Sequence, residues 1–154
     1  MDFTRNRGDL VISSDRARLD VAFIHEFLTH CYWAEGIPRP VVERSIANSI
    51  CFGLYDGASQ IGFARVISDC ATYAYVADVF VSESHRGRGL GKWLVECVLQ
   101  HPDLQGLRRW ALVTRDAHRL YENFGFAPLA APERHMEIHR PAIYPGVRAM
   151  IVQP

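Results

Sequence analysis

Apolar residues recur along this chain with two periods, and each switch between them marks a new element. Leu10 to Ser13 (LVIS) reads as a short strand, after which Leu19, Phe23, Phe27 and Cys31 fall four residues apart. That spacing predicts a helix, with Ser14 or Asp15 available to cap it. Pro38 and Pro40 interrupt the pattern, because proline cannot continue a helix, and Val42, Ile46 and Ile50 then restart it. From Ile50 to Ser68 the composition turns β-prone on both sides of Asp56-Gly57, a dipeptide that favours a hairpin, and Thr72 to Val81 supplies a third strand. Leu90, Trp93, Leu94, Cys97 and Val98 form a helical stripe at i, i+3, i+4, i+7 and i+8. A strand over residues 108–114, a helix over 116–124 ending at Gly125, and a strand over 135–139 (HMEIH) complete the prediction. The expected order is β, α, α, β, β, β, α, β, α, β: an α/β (α+β) domain with a mixed, mostly antiparallel central sheet and helices on both faces.

Composition narrows the functions open to such a domain. The 154 residues suffice for one domain with its own core. The 17 Lys and Arg balance the 17 Asp and Glu, so neither nucleic acid nor an anionic membrane is an expected partner. No 18-residue apolar run and no signal-like N-terminus stands out, and a cytoplasmic, unexported protein is expected. The four cysteines are isolated, without a C-x-x-C pair, which points to reduced thiols and to no metal site.

Arg86 to Gly91 (RGRGLG) places three glycines and two arginines directly before the helical stripe. At a helix N-terminus the unpaired backbone N–H groups and the positive dipole end attract an anion, and glycine permits close approach. Arg86 and Arg88 add charge suited to phosphate oxygens, so a pyrophosphate is the natural guest. Two nucleotide motifs fail here. The G-x-x-x-x-G-K-[ST] pattern would need glycine at 86 and a hydroxyl at 93, where Arg86 and Trp93 stand; G-x-G-x-x-G would need glycine at 92, where Lys92 stands.

The pattern that remains, [QR]-x-x-G-x-[GA] on Arg86, Gly89 and Gly91, resembles the acetyl-CoA signature of the GNAT superfamily of N-acetyltransferases. Leu120 to Phe126 (LYENFGF) is similar to the LYxxxGF element that closes the same domain about 30 residues downstream. The predicted element order matches as well, over residues 10–139. The resemblance implies acetyl-CoA as cosubstrate, its pyrophosphate on Arg86, Gly87, Arg88, Gly89, Leu90 and Gly91, and its pantetheine arm along the strand end Val79, Phe80 and Val81. It implies that Tyr121 protonates the departing thiolate, a step for which a phenol is a competent donor. Asp78, the sole acid of a strand that is otherwise apolar, is the candidate base, with a structural aspartate as the alternative. Relatives often carry asparagine seven residues before the tyrosine, contacting the pantetheine; here Thr114 holds that place and keeps a hydroxyl to donate. Asp116 is the expected cap of the helix that follows.

On the acceptor side the resemblance implies a pocket walled by the first two helices and their connection. There Tyr32 and Trp33 either hold an amine substrate against their rings or fill the gap between the helices. Arg65 faces either a substrate carboxylate or the wet side of the sheet. The reading is an acyltransferase that moves acetyl to a primary amine, small-molecule or peptide, by direct attack, since separated cysteines do not suggest a thiol relay. A catalytically silent acyl-CoA sensor is the alternative. Residues 1–139 are the expected domain, and 140–154 an apolar tail docked on it or on a second copy in a homodimer.

Overall fold

The computed structural model describes residues 2–144. Six strands form one sheet in sequence order: β1 (Thr4–Arg7), β2 (Leu10–Ser13), β3 (Ile50–Asp56), β4 (Ser59–Ser68), β5 (Tyr73–Val81) and β6 (Arg109–Ala111). The first five are successively antiparallel, and β6 returns parallel to β5 after a helical crossover. The helices are α1 (Val21–His30), α2 (Arg39–Ala47), α3 (Leu90–Leu99) and the single turn α4 (His118–Glu122).

Strand alternation sorts the core into two halves. On one face Ile12, Phe52, Leu54, Ala64 and Val66 pack against Leu90, Trp93, Leu94, Cys97 and Val98, so the predicted stripe of α3 is the buried face of that helix. On the other face Cys51, Phe63 and Phe80 meet Ile24, Leu28, Val42 and Ile46 of α1 and α2. The mixed sheet with helices on both faces is therefore as expected.

Local chemistry moves several boundaries. Asp20, not Ser14 or Asp15, caps α1: its Oδ1 accepts the Phe23 backbone N–H at 3.0 Å, while Asp15 caps a 3₁₀ turn at Arg16–Arg18. Pro40 sits in the first turn of α2, where its missing N–H is no loss, so that helix starts at Arg39 and stops before Ile50. Thr4–Arg7 adds a strand that its exposed, polar sequence does not announce.

The final strand expected at 135–139 is absent. Met136 is 97% and Ile138 87% exposed, so the alternation in HMEIH faces solvent on both sides. A strand needs a ladder as well as a pattern, and β6 is three residues long. Most of the expected tail, residues 145–154, lies outside the described residues; its preceding residue, Tyr144, packs against the α1–α2 cluster.

Candidate active site

The site is built where β5 loses its neighbour. β6 pairs only with the first three residues of β5 (Tyr73↔Arg109, Ala74↔Trp110, Tyr75↔Ala111), although β5 runs on to Val81. On that side, among the described residues, no strand opposes the backbone N–H and C=O groups of Val79, Phe80 and Val81, which face a wedge. Such an edge can be joined by an extended, amide-bearing chain as if by another strand.

A bulge sharpens the wedge. Phe63 pairs with Phe80 and Arg65 with Ala77, so Ala64 alone opposes both Asp78 and Val79. Asp78 carries φ +52°, a left-handed conformation usually left to glycine at this bulge position. Its side chain repays that strain. Oδ2 accepts Nε–H of Arg65 at 2.7 Å and Oδ1 accepts Nε1–H of Trp33 at 2.9 Å, with the two charged side chains only 16% and 10% exposed. Arg65 also donates to Ser49 Oγ at 3.1 Å. Thus Arg65 meets an internal carboxylate, and Trp33 is pinned to the bulge.

Around that pin the connection between α1 and α2 closes over the sheet. Phe27 stacks on Phe80 with centroids 3.7 Å apart, Trp33 lies beside Phe27, and Tyr32 meets Trp33 edge-on at 5.1 Å. Arg115, which the sequence reading did not single out, lays its guanidinium 3.8 Å over the Tyr32 ring, joining this connection to the loop before α4. Tyr32 and Trp33 remain half exposed, at 50% and 42%.

Tyr121 approaches the same region from α4. It is buried, edge-on to Phe126 at 5.8 Å, and burial, reinforced by nearby Tyr32, pushes its phenol up to about 12. The proton stays on this oxygen at neutral pH, ready to be donated. Thr114 Oγ accepts the Ala117 N–H at 3.0 Å and so closes the turn that leads into α4, whose N-cap is Ala117 with no side-chain cap, not the expected Asp116. The Thr114 hydroxyl hydrogen is still free to point elsewhere. His118 and Glu83 are exposed.

The glycine loop follows the C-terminal end of β5, next to the open edge at Val79–Val81. Gly89 caps α3 with φ +72°, its carbonyl accepting the Trp93 N–H at 3.1 Å, and Gly87 is also left-handed. Gly91 differs: its φ is not positive, and a Cβ built on it would meet no heavy atom within 4 Å. Neither backbone geometry nor internal packing calls for glycine there, whereas close approach of an external group does. Arg88 is exposed beside it, and Arg86 ties Nε to the last β5 carbonyl, Val81 O, at 3.2 Å. An anion-accepting helix end thus stands at the mouth of the wedge, which fits a pyrophosphate followed by an extended amide-bearing arm.

The cysteines offer no nucleophile at this site. The Cys31 thiol donates to Leu28 O at 3.1 Å, and burial raises its pKa; burial carries Cys51 up to about 12. Thiolates would be scarce at neutral pH.

A splayed sheet, a bulged strand and a glycine-rich helix mouth together fit an acyltransferase. Comparison with known proteins gives the family. Residues 47–128 match the Acetyltransferase (GNAT) domain, and this chain belongs to the GNAT family. A Gibberella zeae protein assigned to the acetyltransferases is 33% identical over 143 residues, covering 77% of this chain and 80% of its own. A GNAT-family crystal structure from Xanthomonas campestris pv. campestris is 47% identical, with a TM-score of 0.87 over 91% of this chain and 99% of that one. A Clostridium acetobutylicum protein crystallised with acetyl-CoA shares the fold (TM-score 0.61, 14% identity, 90% and 96% covered).

Proposed function

We propose that this acyltransferase moves the acetyl group of acetyl-CoA directly to a primary amine. The observation that carries the reading is the pairing of an unpartnered β5 edge at Val79–Val81 with the Arg86–Gly91 helix mouth at its end. Bound there, acetyl-CoA supplies an activated acyl group. The chain's own residues do the rest. The loop amides and Arg88 hold the pyrophosphate, Thr114 and the β5 backbone hold the pantetheine arm, and a backbone N–H of the open β5 edge stabilises the charge that develops on the thioester oxygen during attack. Asp78 has lone pairs beyond the two its neighbours use, and it receives the acceptor's ammonium and then its proton. Tyr121 gives its proton to the leaving sulfur, and its phenolate takes the second proton, which the nitrogen sheds as the amide forms. Residues 1–139 constitute the catalytic domain in this reading, and 140–154 its tail.

Direct attack is favoured over a covalent intermediate because the Cys31 thiol beside the site is bonded to backbone and held protonated. Initial-rate kinetics with acetyl-CoA and an amine panel, following free thiol, test the proposal. Intersecting double-reciprocal lines are expected. Parallel lines, or an acetylated cysteine found by mass spectrometry, would overturn direct transfer. Acetyl-CoA binding without turnover on any amine would favour an acyl-CoA sensor.

A further inference from the structure

The helices α1 and α2 cover only one end of their sheet face. Cys51, Phe63 and Phe80 are buried beneath them, but the same face continues past Arg65 to Ile67, Tyr75 and Tyr73, and there the cover stops. Register places Ile67 opposite Tyr75 and Arg65 opposite Ala77, with Tyr73 two residues further along β5. Ile67 is 45% and Tyr73 40% exposed. Tyr75 is half buried, and its phenol is pushed up by burial and by the charges of Tyr73, Asp78 and Glu137, with Arg65 opposing them. Ile67, Tyr73 and Tyr75 therefore form an exposed floor with the Arg65–Asp78 pair at its inner end, and Trp33, bonded to Asp78, with its neighbour Tyr32 stands at the head of that floor.

From this we infer that the acceptor is an aromatic monoamine, its ring lying on the Ile67–Tyr75 floor and its ammonium at Asp78. The inference rests on the acetyltransfer reading above. The charges choose among amines. Asp78 is already shared with the Arg65 guanidinium, which leaves it room for one ammonium. Arg115, over Tyr32, repels a second cation at the head. Glu137 belongs to a segment whose flanking Met136 and Ile138 are almost fully exposed, so its charge is screened by water. Polyamines thus find little to hold their other charges. The floor offers aromatic and branched surfaces, on which a ring gains edge-on and offset contacts that a simple alkyl chain lacks. Asp78 and Tyr75 are three residues apart on β5, so one small amine can meet both side chains.

Thiol release from acetyl-CoA would be compared for 2-phenylethylamine, hexylamine, phenylalanine and spermidine, with Ile67→Lys as the perturbation. Ile67 is half exposed, so lysine is tolerated there while its charge occupies the floor. For the wild-type chain, kcat/KM for 2-phenylethylamine should exceed each of the other three at least tenfold. The variant should raise the KM for that amine about tenfold or more, leaving the KM for acetyl-CoA and the melting temperature unchanged. Preference for spermidine, hexylamine or phenylalanine would overturn the inference while leaving acetyltransfer standing. An unaltered amine KM in Ile67→Lys would also overturn it. Absence of turnover on all four, with acetyl-CoA bound, would overturn the inference; silence on the whole amine panel would remove the acetyltransfer reading as well.

Discussion

Replacing Asp78 separates what its backbone does from what its carboxylate does. The residue sits at φ +52° and anchors Arg65 and Trp33. A left-handed conformation costs an L-residue about 1–2 kcal/mol, and glycine essentially nothing. Breaking a largely buried ion pair costs on the order of 3 kcal/mol, between the values for exposed and fully desolvated pairs. Asp78→Gly loses the pair but relieves the backbone, for a net loss of about 1–2 kcal/mol. Asp78→Ala loses the pair and keeps the strain, so it should be about 1 kcal/mol less stable than glycine. That sign is diagnostic, because elsewhere in a strand alanine is the more stable of the two by about 0.5–1 kcal/mol. For a domain of this size the gap corresponds to about 3 °C in melting temperature. Calorimetric unfolding of the three proteins, with acetyl-CoA KM measured beside it, is the assay. Because the bulge is kept in both variants, the KM for acetyl-CoA should change little in either, while kcat should fall in both. Alanine equal to or more stable than glycine would refute the left-handed bulge and the argument built on it.

Tyr121→Phe should lower kcat by about 10²–10⁴ with little change in stability or acetyl-CoA affinity, and by less for a donor whose leaving thiol is more acidic. Gly89→Asp should raise the KM for acetyl-CoA strongly, since its carboxylate would stand at the anion site, while circular dichroism reports an intact fold. Alkaline unfolding should be early. Burial raises Cys97 to about 11 and Cys51, Tyr55 and Tyr121 to about 12, above their ordinary values of 9 and 10. Their stabilising contribution is complete below pH 9 and is lost as pH climbs toward 12, so the melting temperature measured across that window should fall steadily.

What the sequence discloses and what it hides divide along the range of the interactions. The α3 stripe, the Asp56-Gly57 hairpin and the glycine loop are local patterns, each confined to one element, and they read directly. Tyr121 was singled out because its motif is local too. The bulge was not, for it arises from a register shift between β4 and β5, and aspartate carries no sequence mark of a left-handed backbone. The Arg65–Asp78–Trp33 chain joins three separate segments, and Arg115 over Tyr32 joins two loops far apart in the chain. β1 escaped notice because its four side chains are all exposed, so it has no buried face to write an alternation. HMEIH erred in the opposite sense. It has the alternation of a strand but finds no ladder beside the short β6.

The central claim is that the Arg86–Gly91 loop and the open β5 edge together bind acetyl-CoA. Titration calorimetry of acetyl-CoA into the wild-type chain and into Gly91→Glu tests it most directly, because Gly91 has neither a positive φ nor an internal neighbour to demand glycine. Glutamate in that first helical turn should leave the fold and its melting temperature unchanged, so any effect reports on the guest alone. The account predicts a 1:1 complex with the wild-type chain and at least tenfold weaker binding in the variant. Equal affinity in the two proteins, or no binding to either, would contradict it.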